Sequence, residues 1–519
     1  MNKKTKIITL CLGIFLVVKS VILCFDYGNK SLALGSAYTA QTGDFYSLYS
    51  NPAGLYGGEN IDFKLDLLLG ANFTGNILYH ANQIIESAAK YEKIRQAQQE
   101  NGSIDVVQIA ALFNGIKNLV EINKPGKGML ASINGGVGFK IKNFAFSVRN
   151  VTNVGLKPFV DTGFSLSTIT TPSPAPNLNS VLSSSIYRGI TITTDTLKDS
   201  SLQDERDDLI EVMDWLIDTL EDFGVEIPDD IKNNTEGIAN ALINLAIHNG
   251  FKEEDIQNAI SQLKDENLQN LIKNFLNNML NPNSSFTNNN SGLVLKGINY
   301  TEFALGYSHN VWDNLLVGGS VKYMIGKTIY YDFKVFQEQD QINFDDLKEI
   351  ENKLTRNVQS IALDLGAIYK LPTPIVETNV GLVIKNLIEP QFELAGTDEK
   401  IKLSRQVKLG VSGKLYKILT LNIDHDLNEA ETLVEGYKIR NLGLGLEINP
   451  PIFPALRLGY MKNLSYEDDQ LYTFGLAIKI WVINLDIVGA LNPKETKINK
   501  DTSIFANNLN LGLTLGFAF

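Results

Sequence analysis

Asn508-Leu509-Asn510-Leu511-Gly512-Leu513-Thr514-Leu515-Gly516-Phe517-Ala518-Phe519 closes the chain, and its spacing names an architecture. The odd positions are Leu or Phe throughout, while the even positions are Asn, Gly, Thr or Ala. A period of two belongs to a β-strand, whose successive side chains point to opposite faces. One face here is wholly apolar and the other is small or polar. The same split recurs upstream. Leu442, Leu444, Leu446 and Ile448 alternate with Asn441, Gly443, Gly445 and Glu447; Tyr472, Phe474, Leu476, Ile478 and Ile480 alternate with Thr473, Gly475, Ala477 and Lys479. Segments of about ten residues with this alternation are the mark of a transmembrane β-barrel wall, with its apolar side to lipid and its polar side to the lumen. Inward glycines weaken a strand, but they leave room where backbone or an inserted plug comes close.

Extending the reading along the chain gives strands near 60–70, 131–141, 143–152, 298–309, 315–328, 357–370, 376–388, 405–415, 417–427, 438–449, 455–462, 470–480, 481–491 and 508–519. These make an all-β transmembrane barrel of about 14 antiparallel strands, an even number as single-chain bacterial barrels require. Ile186 to Thr194 is a weaker candidate, since Arg188 falls on its apolar face, and parity leaves it out of the wall. With this count every connection after an even-numbered strand is short, and nearly all the remaining length falls after odd-numbered ones, at the other end of the barrel. Tyr300, Tyr330, Tyr331 and Tyr369 then stand near strand ends, where an aromatic girdle is expected.

Two stretches break the alternation. Residues 71–130 contain a helical pattern from Ile84 to Asn123, and 153–297 opens on the proline-rich run Thr171 to Pro176. From about 200 to 280 the period becomes helical, with Leu209, Met213, Leu216, Leu220 and Phe223 on one face, so a small helical subdomain is inserted there. That stretch holds eighteen Asp and Glu against five Lys and Arg, and so carries the whole acidic excess of a chain with net charge −12. An acidic chain with pI near 5.0 has no electrostatic basis for phosphate contacts, which excludes a general nucleic-acid binder.

The N-terminus supplies the address. Asn2 to Lys6 is basic and Ile7 to Val18 is a twelve-residue apolar run, too short for a membrane helix and right for a secretory signal, so 1–24 is read as a signal peptide, with Ser20 and Cys24 both suited to precede the cleavage point. No later segment offers eighteen consecutive apolar residues, and a spanning chain without helices must be a closed barrel. The expected organisation is a signal peptide, an N-terminal lumen or plug segment over 25–59, and a barrel over 60–519 in the bacterial outer membrane. Its expected partners are outer-membrane lipid, the barrel-assembly machinery, which would read the terminal Phe517 and Phe519, and a protein partner contacting the acidic insert.

Ala33-Leu34-Gly35-Ser36-Ala37-Tyr38-Thr39-Ala40, then Asp44, then Ser50-Asn51-Pro52-Ala53-Gly54-Leu55 precede the first alternating strand. Asn51 is placed to cap a helical turn with Pro52 at its first position, and small residues let that turn enter a lumen. This motif resembles the start of the FadL-like outer-membrane β-barrel superfamily, which includes transporters of hydrophobic compounds. The late strand Leu456-Arg457-Leu458-Gly459-Tyr460, followed by Asn463-Leu464, and the acidic helical insertion are similar to the TraF-like branch, labelled for conjugal transfer. The resemblance implies a structural or partner-binding role in an envelope assembly, with a channel for hydrophobic small molecules as the alternative. Against a greasy channel stand the inward charges Lys322, Asp364, Lys408, Asp424, Arg457, Lys479 and Asp486, expected to line the lumen.

Nothing points to catalysis or a cofactor. In Asp424-His425-Asp426 the alternation sends both carboxylates inward and the imidazole outward, so the three do not converge on a metal ion, and His80, His248 and His309 lie on other elements. Gly135-Gly136-Val137-Gly138 lacks the Lys-Ser or Lys-Thr ending of a phosphate loop and reads as a wall strand with glycines inward. An enzyme would need a nucleophile and base that converge, and none is found.

Overall fold

In the computed structural model, residues 28–80, 122, 124–159, 200–222, 232–248, 253–266, 269, 270, 273, 292–334, 354–451, 453–466, 469–497, 503, 504 and 506–519 are described. Fourteen antiparallel strands close on themselves. They are β1 (Ile61–Thr74), β2 (Gly128–Ile141), β3 (Phe144–Phe159), β4 (Gly292–Trp312), β5 (Leu315–Lys334), β6 (Thr355–Leu371) and β7 (Val376–Lys385), then β8 (Gln406–Leu415), β9 (Leu419–Asp426), β10 (Asn441–Ile448), β11 (Ala455–Asn463), β12 (Gln470–Ile480), β13 (Ile483–Asn492) and β14 (Asn508–Ala518). All fourteen expected strands are present, and β3 pairs directly with β4, so no strand from 160–291 enters the wall between them. The expected signal peptide, Ile186 to Thr194 and most of Ile84 to Asn123 lie outside the described residues.

Alternation sets the faces as read. On β14, Leu511, Leu513 and Leu515 are exposed outward, while Asn510, Gly512 and Thr514 are buried inward. Together with Leu65 and Leu67 on β1, Phe144 and Phe146 on β3 and Leu456 and Leu458 on β11, they form a continuous apolar belt round the outside. No helix among the described residues is long and apolar enough to cross a membrane. The last strand closes on the first with Asp62 opposite Ala518 and Asn72 opposite Asn508. Phe519 exchanges both backbone hydrogen bonds with Ile61, at 2.9 and 3.0 Å.

The two ends differ. Tight turns such as Lys142-Asn143 and Trp481-Val482 join strands at one end, with Lys142 (φ 52°) and Trp481 (φ 62°) taking the left-handed conformation that a short hairpin needs. All long connections leave from the other end. There the wall is uneven: β3 to β6 have 16 to 21 residues, whereas β7 to β10 have 8 to 10. The strands of the tall side begin or end beyond the expected limits; β4 starts at Gly292 rather than near 298, where Leu295 and Ile298, on opposite faces, are both buried and the alternation fades.

The insert contributes α-helices at Gln203–Asp222, Thr235–His248 and Glu253–Leu263. They pack around Leu202, Leu209, Ile243, Ile256 and Ile260. Lys264 reaches Asp208 at 2.7 Å and Glu211 at 2.6 Å on the solvent side; such exposed pairs contribute little.

Candidate functional site in the plugged lumen

The chain from Gly28 to Tyr56 lies inside the barrel, at the end of the tight turns. It comprises α1 (Asn29–Ala33), α2 (Ser47–Ser50) and a 3-10 turn over Pro52–Leu55. A segment this short has no core of its own, so wall side chains satisfy its backbone. Gly35 N–H donates to Thr473 Oγ1 at 3.1 Å, and the Thr473 hydroxyl donates to the Ala33 carbonyl at 3.1 Å. Tyr38 and Thr39 both donate their backbone N–H to Asp424 Oδ2 at 2.8 Å. Phe45 N–H donates to Asp62 Oδ2 at 3.0 Å. Asp424 therefore does more than line the lumen, its expected role: it grips the plug.

The Asn51-Pro52-Ala53-Gly54 motif folds as its residues suggest. Asn51 is extended at φ −152°, its Oδ1 accepts from Ala53 N–H at 3.1 Å, and Pro52 opens the turn. Its Nδ2 donates to the Thr39 carbonyl at 2.8 Å, tying the two halves of the plug together. All four residues are buried. The glycines of the wall explain how the plug fits. A Cβ on Gly318 would strike the Pro52 backbone, one on Gly381 the Thr39 carbonyl, and those on Gly443, Gly445 and Gly459 the chain around Leu34 and Gly35. Gly35 itself sits at φ +61° against the Tyr460 and Leu444 carbonyls, a close approach and a left-handed backbone that glycine alone meets without strain. Of the run Gly135 to Gly138, Gly138 faces inward against Phe45, whereas Gly135, expected inward with the others, faces outward against Leu67, since adjacent residues cannot share a face.

Charges fill the space between plug and wall. Lys322 meets Asp364 at 2.6 Å, Lys408 meets Asp426 at 2.9 Å, and Arg457 bridges Glu447 and Asp486, both at 2.6 Å. Lys479 stands on the inward parity at the rim, exposed, 3.6 Å from Glu59. Arg149 with Glu302 at 2.7 Å completes the layer and stacks on the Tyr49 ring at 4.3 Å. Arg149, Glu302 and Glu447 were absent from the expected lumen set, although the same two-residue period marks them; Arg149 is directly opposite Glu302 in the β3–β4 ladder, and Arg457 opposite Glu447 in β10–β11. Within the plug, Lys30 pairs with Asp44 at 3.0 Å. Burial alone would lower the Lys30 pKa, but the Glu447 carboxylate and its neighbours outweigh it and hold it well above the usual range. Burial would raise Asp44, and the Lys30 charge reverses that.

At the other end the loops close the mouth. Phe392, Leu394 and Ile401, from the loop between β7 and β8, bury themselves among Val151, Ile298, Tyr300, Met324 and Ala362 on the inner face of the tall wall. Tyr300 stacks on Phe392 with ring centroids 5.9 Å apart. Tyr300 and Tyr330 are thus loop-packing residues inside the barrel, not girdle residues, because β4 and β5 run on past them. Tyr437, from the loop between β9 and β10, seals a second cluster with Leu130 and Val434. A cavity between Tyr437, Asn441, Leu471 and Asn508 measures about 10 Å³, the room of a single water.

Among the described residues no group of three or more His, Cys, Asp or Glu is placed to hold a metal ion. Asp424 and Asp426 point inward; His425, on the opposite parity, is 3.5 Å from the Arg440 guanidinium. The arrangement is built to hold one segment inside another, and it defines a closed fourteen-stranded β-barrel with an internal plug. The chain belongs to the family described as F plasmid transfer operon, TraF, protein, whose model matches residues 48–426. No curated protein matches it in sequence. Among solved structures it is similar to the Ralstonia pickettii toluene transporter TbuX (10% identity, 95% of this chain and 98% of that one, TM-score 0.42). It is also similar to a Pseudomonas aeruginosa FadL homologue (9% identity, 96% and 100%, TM-score 0.41).

Proposed function

We propose that this protein is an outer-membrane barrel with a structural, partner-binding role in an envelope assembly of the conjugal-transfer kind, and that it neither conducts solutes nor catalyses a reaction. The observation that carries this reading is the lumen, occupied from one end by a plug with its backbone bonded to the wall and from the other by loop side chains, with buried ion pairs between. Opening a path through such a layer would strand charges in a dry interior, and breaking one buried pair costs about 3–5 kcal/mol. The apolar belt supports a lipid-embedded wall, and the parity of the strands favours an outer-face position for the long connections with the acidic helices. Those helices form a separate small core and present carboxylates to a basic partner surface. The test is passage of solute in liposomes. Purified protein is expected to pass neither small polar solutes nor hydrophobic ones, and flux above empty vesicles would overturn the reading.

A second reading has one observation in its favour. The chamber around Val151, Ile298, Tyr300 and Met324 is apolar, and what fills it is a loop rather than the wall. If hydrophobic molecules pass, that chamber is where they first bind, with Phe392 and Leu394 displaced. Phe392→Ala would then increase flux in the same assay.

A further inference from the structure

Among the described residues the ladder between β6 and β7 stops short at the upper margin of the apolar belt. β6 pairs with β5 over Thr355 to Tyr369, but with β7 only over Leu365 to Leu371. Lys370 N–H reaches Asn314 on the β5 side, while the Leu363 carbonyl accepts from Leu387 on the β7 side, so odd-numbered β6 residues direct their backbone groups toward β7. Asn357, Gln359 and Ile361 therefore aim N–H and C=O at an edge where, among the described residues, no strand answers them. The departure of the neighbouring chain has a definite cause. Asn386 turns left-handed at φ 53°, and its N–H is taken by the Asp364 carboxylate at 2.9 Å instead of by the ladder. The chain returns as a short hairpin, Gln391–Glu393 with Lys400–Lys402, which pairs with itself and packs Phe392 against Ala362 of β6 rather than extending the ladder. Between them is a polar cleft of about 240 Å³, lined by Arg356, Asn357, Gln359, Gln391, Glu393 and Lys400. Arg356 and Lys400 both turn to the one Glu393 carboxylate, so the cleft carries an excess positive charge.

We propose that this open edge of β6 is a strand-addition site that takes an extended, acidic segment of a partner protein. Unpaired edge groups are a template for a further strand, with main-chain bonds supplying affinity and flanking side chains supplying choice. The edge rises from the outward Ile361, at the upper margin of the belt, to the polar and exposed Gln359 and Asn357, where an unpaired ladder is tolerated; inside the hydrocarbon it would not be. The spare positive charge selects a carboxylate on the incoming segment. This inference rests on the partner-binding reading above and names where that partner attaches.

The probe is a fluorescein-labelled ten-residue peptide of alternating Val and Thr carrying two Glu, added to the full-length protein in detergent micelles and followed by anisotropy. Saturable binding is expected, weakened about tenfold or more when alternate backbone amides are N-methylated, since two or three net hydrogen bonds are lost. Gln359→Pro, which removes one of the edge donors, should weaken it about fivefold. That N–H faces the open side, so the β5 ladder is intact and the protein should keep its shifted migration on unheated gels. Arg356→Glu should shift preference toward the same peptide with Lys in place of Glu. No saturable binding, or binding indifferent to N-methylation and to Gln359→Pro, overturns strand addition. A doubling of molar mass that Gln359→Pro abolishes also overturns it, by assigning the edge to a second copy. A failed peptide with solute-tight liposomes sinks this inference alone, whereas solute flux sinks the assembly reading on which it rests.

Discussion

Asp424 holds two successive backbone N–H groups of the plug on one carboxylate oxygen, and hydrogen bonds to a charged group contribute about 1.5–3 kcal/mol each. Asp424→Leu should therefore free the middle of the plug while leaving the wall closed. With Ala40→Cys as reporter, buried in the native protein, a water-soluble maleimide should label the double variant within minutes and spare the single one; equal protection in both would show that Asp424 is dispensable. Gly445→Val should expose the same reporter by a different route, because a side chain at 445 collides with the carbonyl and Cβ of Leu34. The sequence showed that Asp424 faced inward and that glycines lined the lumen. What it could not show was the partner of each, since the plug residues meet the wall across separations of several hundred positions, as Thr39 meets Asp424.

At the scale of elements, β14 combines two duties: its outward leucines face lipid and its backbone closes the ring against β1. Leu513→Arg, on the outward face in mid-strand, should cost about 2–4 kcal/mol of barrel stability, read as a lower urea midpoint for loss of the folded gel band; an unchanged midpoint would deny that this face is in lipid. Deleting Leu515 to Phe519 should cut assembly sharply, since it removes the pairs to Phe63, Lys64 and Leu65 and the Ile61–Phe519 bonds. The helical insert behaves oppositely. Its core of Leu202, Ile243, Ile256 and Ile260 is its own, so deleting 200–280 should leave heat-modifiable barrel at normal levels; a loss of barrel would mean that the wall leans on it. Strand positions were legible where one face meets lipid and the other the lumen, as on β14. They were not legible at Leu293 to Tyr300, where loop residues such as Phe392 make the inner face apolar too and erase the period.

For the whole molecule, the uneven wall organises everything else. Strands of 8 to 10 residues rise about 3.3 Å per residue and, tilted as barrel strands are, only just span a bilayer. Those of 16 to 21 residues stand well clear of it on the same end as the loops. The described residues thus form a stubby cylinder with a one-sided rampart, and the rampart carries both the chamber filled by Phe392 and the open edge of β6. Residue-level alternation contains the number of strands, but the difference in their heights arises from contacts between loops and wall. The expected ion pairs were half assembled on other grounds: Lys322 and Asp364 were named while Arg149 and Glu302 were not, although the same period marks all four.

The position of Asn29 has a consequence for biogenesis. Its amide donates to the Leu67 carbonyl on β1 at 3.2 Å and to the Leu513 carbonyl on β14 at 3.0 Å, so it straddles the junction that closes the ring, between the first strand and the final one. A cylinder zipped shut beforehand would have to be threaded from below, past Lys64, Asp66 and Arg457. Seating of the amino-terminal segment and closure of the ring are therefore coupled, because one amide staples the plug to both strands of the closing pair.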